Sequence, residues 1–194
     1  MRNTGRARRR NAAATRAAIL ASARLAFARQ GYDGAGVREI AKGAGVTAML
    51  VNRYFGSKEK LFAEVVAQTM AGPRILTEEV INSRTPGKEL ATALVGQTKA
   101  GAAPLDGFLI MLRSVSNERA AEIWREQVEN HHHKMMTASL SGELAAERAA
   151  LVLSLIAGFQ VMRQMIGLSA LAKSKPAVLS KILAAIFQQL VKAD

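Results

Sequence analysis

A chain of 194 residues, 49% of them apolar, can bury one large core or two small ones. It has no cysteine, which excludes a disulfide framework and a thiolate metal site. Its formal net charge of +12 is unevenly spread: residues 1–66 hold 13 Lys and Arg against 4 Asp and Glu, the remainder 14 against 11. A basic excess gathered into one third of a chain points to a polyanion, most commonly nucleic acid.

Residues 1–11 carry Arg2, Arg6, Arg8, Arg9 and Arg10 without apolar periodicity. They are expected to form a disordered basic arm that raises affinity for DNA. No apolar run with a cleavage site follows, so no secretory leader is expected. The first helix should start near Thr15, with Asn11 as an alternative cap. Ile19, Ala23, Ala26 and Phe27 give it one apolar face, and Gly31 ends it. A second helix runs from Val37 to about Ala44, with Val37, Ile40, Ala41 and Ala44 inward and Arg38, Glu39 and Lys42 outward. Gly36 is its N-cap, weaker than Ser or Thr. Gly45 supplies a turn, Thr47 caps a third helix ending near Phe55, and Ser57 caps a fourth that carries Leu61, Phe62, Val65 and Val66 and stops before Gly72-Pro73. Longer helices are expected over about 74–84, 88–100, 105–116, 118–140, 143–167 and 176–192. Breaks fall at Thr85 to Gly87, Gly101 to Pro104, Ser141-Gly142 and Lys173 to Pro176. No run of alternating β-branched residues marks a strand, so the fold class is all-α.

The third helix spends its first turn on Ala48, Met49 and Leu50, side chains wasted on water. Two short helices about a glycine turn, in a basic region, make a helix-turn-helix whose second helix enters the DNA major groove. Ala48 lets the backbone approach closely, and Met49 and Leu50 can touch thymine methyl groups. Thr47 can cap and reach a phosphate. Asn52 and Arg53 can bond to phosphate or base, and Tyr54 can offer its hydroxyl to the DNA backbone. Lys58, at a helix start where the dipole also attracts phosphate, and the outward Arg38 complete the DNA-binding set. Val46, Val51 and Phe55 close the small core.

The stretch "GVREIAKGAGVTAMLVNRYFGSKEKLF" closely resembles the DNA-binding domain of the tetracycline-repressor (TetR) family. The likeness lies in "REIA", "AGV", the Thr47 cap, Tyr54-Phe55 and "SKE" at Ser57 to Glu59. "TRAAIL" followed by "FARQGYDG" fits the family's first helix, so the resemblance covers about residues 12–66. Met49 stands where the family usually has Gly, Asn52 where it has a phosphate-contacting Tyr, and Gly36 where Thr is frequent. The base preference is therefore this chain's own.

The resemblance implies an N-terminal three-helix DNA-binding domain over residues 12–71. It implies a larger C-terminal helical domain, for ligand binding and dimerisation, over residues 72–194. It also implies a cytoplasmic homodimer on a pseudo-palindromic double-stranded operator, acting as a repressor released by an unknown small molecule, for which an apolar compound is favoured. The dimer face expected on the last two long helices includes Leu151, Leu155, Gly158, Ile182, Ile186 and Leu190. Candidate pocket residues are Phe108, Met111, Leu112, Trp124, Met135, Phe159, Met162 and Met165; methionine adapts to irregular ligands.

Other chemistries are poorly supported. His131 to His133 point about 100° apart on a helix and cannot share one ion, and the Glu129–His133 pair lacks further ligands, so no metal or cofactor is expected. No glycine-rich phosphate loop, nucleophile elbow or paired catalytic carboxylates appear, so no enzyme is expected. The most apolar segment, Ala149 to Met162, is bracketed by Arg148 and Arg163 and reads as a buried helix, not a membrane span. Two alternatives remain open. One is a DNA-binding protein of the same fold without a small-molecule ligand. The other is a basic helical protein that binds RNA or acidic partners, against which the 5% aromatic content argues.

Overall fold

The computed structural model describes residues 4–70, 75–99 and 106–192, with side chains from residue 11 onward. The expected breaks at Gly72-Pro73 and Gly101 to Pro104, and the arginine side chains of the N-terminal arm, lie outside the described residues. Among the described residues there is no strand. The helices are α1 (Thr4–Gly34), α2 (Val37–Gly43), α3 (Ala48–Phe55), α4 (Lys58–Met70), α5 (Glu78–Ile81), α6 (Pro86–Gln97), α7 (Asp106–Ser114), α8 (Glu118–Val128), α9 (Lys134–Ser139), α10 (Ala145–Gln160), α11 (Ser169–Ala172) and α12 (Pro176–Val191). Wider π-type turns over Glu129–His133 and Val161–Met165 follow α8 and α10. The chain divides into two compact units, residues 1–72 with 105–127 and residues 73–104 with 128–194.

In the first unit, residues 4–11 form the opening turns of α1 instead of a separate arm. Alanine and arginine are strong helix formers, and no breaker separates them from Thr15. The Thr15 hydroxyl donates back to the Asn11 carbonyl at 2.9 Å, the bond of a threonine within a helix and not at its cap. Gly31 ends the main run of α1 with φ +69°. Ile19, Ala23, Ala26 and Phe27 are buried with Ile40 and Ala41 of α2, Val51 and Phe55 of α3, and Leu61, Phe62, Val65 and Val66 of α4. The Phe27 and Phe62 rings meet edge to face at 5.0 Å, and Tyr32 meets Phe62 at 4.9 Å.

Helix α7 lies against α1. A Cβ on Gly31 would fall 2.0 Å from the Arg113 carbonyl oxygen, so only a glycine permits this approach. The Arg113 guanidinium donates to the Ala28 carbonyl, and the Tyr32 amide donates to the Ser114 hydroxyl at 3.0 Å. Arg24 pairs with Asp106 at 2.9 Å, and Asn117 donates to Asp33 at 2.9 Å. By compactness, residues 105–127 group with the first unit, whereas the sequence reading puts its domain boundary at 71/72.

The second unit is built on α6, α10 and α12. Leu90, Ala91, Leu94 and Val95 of α6 pack with Val152, Ile156 and Phe159 of α10 and Leu179, Leu183, Phe187 and Val191 of α12. A Cβ on Gly87 would meet the backbone of Gln188 and Ala184 at 2.7 and 2.8 Å, which sets the close approach of α6 to α12. The helix expected over 74–84 is only the four-residue α5, capped by Thr77, whose hydroxyl accepts from the Val80 amide at 3.2 Å. The single helices expected over 118–140 and 143–167 each contain one of the π-type turns. Among the described residues, Ala145–Met165 alone is long and apolar enough to cross a membrane by length and composition. Its Val152, Ile156 and Phe159 lie in the core, and Arg148 and Arg163 are turned inward.

Candidate nucleic-acid interface

The α2–α3 corner is fixed by backbone bonds. The Ala44 amide donates to Ile40 at 3.1 Å, Gly45 turns the chain with φ +67°, and the Val46 amide returns to Ala41 at 2.9 Å. Thr47 is extended (φ −90°, ψ 154°), and its hydroxyl oxygen accepts from the Leu50 amide at 3.3 Å. That cap starts α3 where the sequence placed it. Val51 and Phe55 hold the inner side, and Val46 is half-buried.

Met49, Asn52 and Arg53 share the outer side at i, i+3 and i+4, and all three are exposed, as is Thr47. Met49 is 77% exposed, the most of any large apolar side chain among the described residues. Ala48, Leu50 and Tyr54 are half-buried at the edges of this face. Arg38 is exposed on α2, and among the described residues neither it nor Arg53 makes an ion pair. No carboxylate among those residues offsets their charges.

Lys58 is placed differently. It is half-buried, its ammonium donates to the Asp33 carbonyl at 3.3 Å, and it sits 4.7 Å from the centre of the Tyr32 ring. Sequence spacing carried no sign of these partners, 25 and 26 residues upstream. Burial first, then the carboxylates of Glu59 and Asp33, push the Tyr32 phenol above its ordinary pKa.

The frame around the corner is tied by further polar contacts. Ser22 donates to the Ile40 carbonyl at 2.8 Å, Arg16 pairs with Glu64 and stacks 4.9 Å over Phe55, and Arg29 pairs with Glu39 at 3.1 Å. Arg119 bridges Glu59 at 2.7 Å and Glu122 at 2.8 Å. Ser57 caps α4 by accepting from the Lys60 amide at 3.1 Å.

The eight candidate pocket residues are not brought together in one unit. Phe108, Met111, Leu112 and Trp124 belong to the first, where Trp124 is buried and its indole N–H has no partner among the described residues. Met135, Phe159, Met162 and Met165 belong to the second. There Phe159 is buried and Met135 half-buried, whereas Met162 and Met165 are 48% and 40% exposed. The π-type turn at Val161–Met165 sets the direction of those two side chains. Two open grooves of about 690 and 600 Å³ flank Leu25 of α1, and none of the eight lines either. On the faces expected to dimerise, Leu151, Gly158, Ile182 and Ile186 are exposed, and Leu155 and Leu190 are half-buried. The His133 Nε2 lies 2.9 Å from the Ala146 carbonyl. No group of three or more His, Asp or Glu among the described residues is placed to hold a metal ion.

The corner and its outward cations define a helix-turn-helix protein, with a second helical unit beside the head in sequence. Residues 19–65 match the family described as bacterial regulatory proteins, tetR family, and residues 85–191 match the tetracyclin repressor-like C-terminal domain. The chain belongs to the TetR family.

A curated relative, the HTH-type transcriptional regulatory protein RaaS of Mycobacterium tuberculosis, is 32% identical over 107 residues, 54% of this chain. The match takes in 47% of RaaS, so the chain spans about half the length of the curated relative it matches. A transcriptional regulator from Pseudomonas aeruginosa PAO1 superposes with a TM-score of 0.68 at 20% identity, covering 90% of this chain and 89% of that one. The transcriptional regulator FadR from Bacillus subtilis, in complex with stearoyl-CoA, superposes with a TM-score of 0.63 at 18% identity, covering 90% and 97%. At these identities the structures share a fold.

Proposed function

We infer that the protein is a homodimeric, sequence-specific DNA-binding transcriptional regulator. It acts in the cytoplasm as a repressor, released from a pseudo-palindromic operator when a small molecule binds the second unit. The observation that carries this reading is the outer face of α3, where Thr47, Met49, Asn52 and Arg53 stand exposed together. An apolar first turn beside unpaired cations suits a major groove, with methyl contacts at the base edges and charge at the phosphates. Arg38 extends the phosphate-facing set, Ala48, Leu50 and Tyr54 form its edge, and Lys58 joins it where its contact with Asp33 is exchanged for phosphate.

One head covers too few base pairs to be selective, so two are required, about 34–36 Å apart. The exposed stripe of Leu151 and Gly158 on α10 with Ile182 and Ile186 on α12, flanked by Leu155 and Leu190, supports dimerisation through these helices. An effector that binds one arrangement of the dimer better than another shifts its population away from the DNA-competent state. The fold supports such a role, since FadR carries stearoyl-CoA on the same architecture.

The test is selection of binding sites from random duplex DNA at a stated salt concentration near physiological. The expected product is a pseudo-palindrome with half-site centres about one helical turn apart. Recovery of no motif, with binding that vanishes as salt rises, would overturn the reading in favour of non-specific attraction.

A further inference from the structure

Two arginines of the apolar α10 region turn into the second unit, and they differ in how their charge is met. Arg148 is 8% exposed and donates to three carbonyls: Ser141, Glu143 at 3.2 Å and Leu190 at 3.3 Å. It ties the loop before α10 to the end of α12, and that role accounts for it. Arg163 is 4% exposed. One nitrogen, Nη1, donates to the Val95 carbonyl at 2.9 Å and to the Thr98 hydroxyl at 3.1 Å. Its Nε is buried with no acceptor among the described residues. Among the described residues no carboxylate pairs with it. The Phe159 ring lies 5.6 Å beneath the guanidinium, an apolar wall on one side.

An uncompensated buried cation is strongly destabilising, and a buried donor without an acceptor adds to that. Carbonyls at the end of α6 offset part of the charge through the helix dipole, yet they leave the Nε donor unused. Nε stands on the guanidinium edge that meets a carboxylate by parallel N–H···O bonds. A π-type turn, a local distortion found often at functional sites, delivers Arg163 to this position. One guanidinium balances one negative charge, so a carboxylate fits and a phosphate dianion would leave an excess.

We propose that Arg163 is the anchor of an effector site in the second unit that takes an amphipathic monocarboxylate, its carboxylate on Nε and its apolar body against Phe159. The proposal rests on the reading of this unit as an effector domain, and it goes further in naming the anchoring residue and the ligand class.

The experiment measures thermal shifts of the full chain with decanoate and 2-naphthoate, each against its alcohol and against decyl phosphate. Arg163→Met and Arg163→Lys are run in parallel. Wild type should be stabilised by at least one carboxylate and not by the matching alcohol. Both variants should weaken that binding ~10–100-fold, the loss expected for a charge-assisted bond at a buried site. Arg163→Met should melt at or above the wild-type temperature, because it removes an unpaired buried charge; Arg163→Lys keeps the test valid if the methionine variant does not fold. Equal response to acid and alcohol, response to decyl phosphate alone, no response, or unchanged binding by the folded variants would overturn the proposal. A gel-shift assay with the selected operator separates the two readings. Carboxylate binding that depends on Arg163 but leaves DNA bound would sustain the site and remove its role as a release switch.

Discussion

Gly31→Ala is the sharpest test of how the DNA-reading head is held. Gly31 has φ +69° and ψ −174°, a region that is essentially glycine's alone and costs other residues about 1–3 kcal/mol. The added Cβ would also fall 2.0 Å from the Arg113 carbonyl oxygen and 2.8 Å from its carbon, well inside van der Waals contact. Relief requires α7 to retreat by over an ångström or α1 to refold its end, and such overpacking costs about 1–3 kcal/mol more. The sum, roughly 2–6 kcal/mol, corresponds to a fall in Tm of about 5–20 °C for a chain of this size. Retreat of α7 would also strain the Tyr32–Ser114 bond and the Arg113 contact to Ala28. Trp124 is the single tryptophan and is buried in α8, so its fluorescence reports the melting of this unit directly. Gly36→Ser is the control: Gly36 has φ −90°, nothing lies within 4 Å of its Cβ position, and serine is the better cap. It should change stability by only a few tenths of a kcal/mol. A Gly31→Ala protein melting within about 1 °C of wild type would show that α7 does not depend on this approach, and the placement of 105–127 would be wrong.

Arg53→Ala should leave stability within about 0.5 kcal/mol, since the side chain is exposed and unpaired, while weakening operator binding. If Arg53 contacts phosphate, the log–log salt slope should fall by ~0.9, and if it reads a base, selectivity should relax at one position; neither change would remove it from the interface. Ile182→Glu places a charge on an exposed apolar stripe and should yield a folded monomer by light scattering; a persistent dimer would move the interface elsewhere. Tyr32→Phe should flatten the alkaline limb of stability. The raised phenol pKa makes the neutral form a stabilising feature that is complete below the ordinary value of about 10 and lost as pH rises through the folded value. Chemical denaturation from pH 8 to 11 checks it, and an identical alkaline fall in the two proteins would refute it.

The head was legible because its determinants are local. Gly45 fixes a turn by its own φ, and Thr47 and Ser57 cap helices through amides three residues on. Such signals survive without knowledge of the rest of the chain. The partners of Lys58 and Gly31 were not legible, because Asp33 and Arg113 lie 25 and 82 residues away in sequence. Periodicity shows that α7 has an apolar side but not which helix covers it. The start of α1 was misplaced for a related reason: Asn11 and Thr15 are good caps, yet Ala and Arg on both sides favour continuation, and the Thr15 hydroxyl bonds backward to Asn11.

The second unit exposes a deeper limit of pattern reading. Helix α12 is apolar over more than one face, so its periodicity identifies a stripe without saying what covers it. Leu179, Leu183 and Phe187 fill this unit's own core, whereas Ile182 and Ile186 remain exposed on the same helix. Composition could not separate a core from a face awaiting a partner. The same applies to charge. Arg148 and Arg163 bracket an apolar run, yet both turn inward, and only the first finds acceptors enough to account for its burial. Nothing in the spacing marks Val161–Met165 as a π-type turn, and it is that turn which carries Arg163 to the end of α6. A buried charge with a donor left over is a departure from the rule that interior polar groups are satisfied, and such departures gather where function opposes stability.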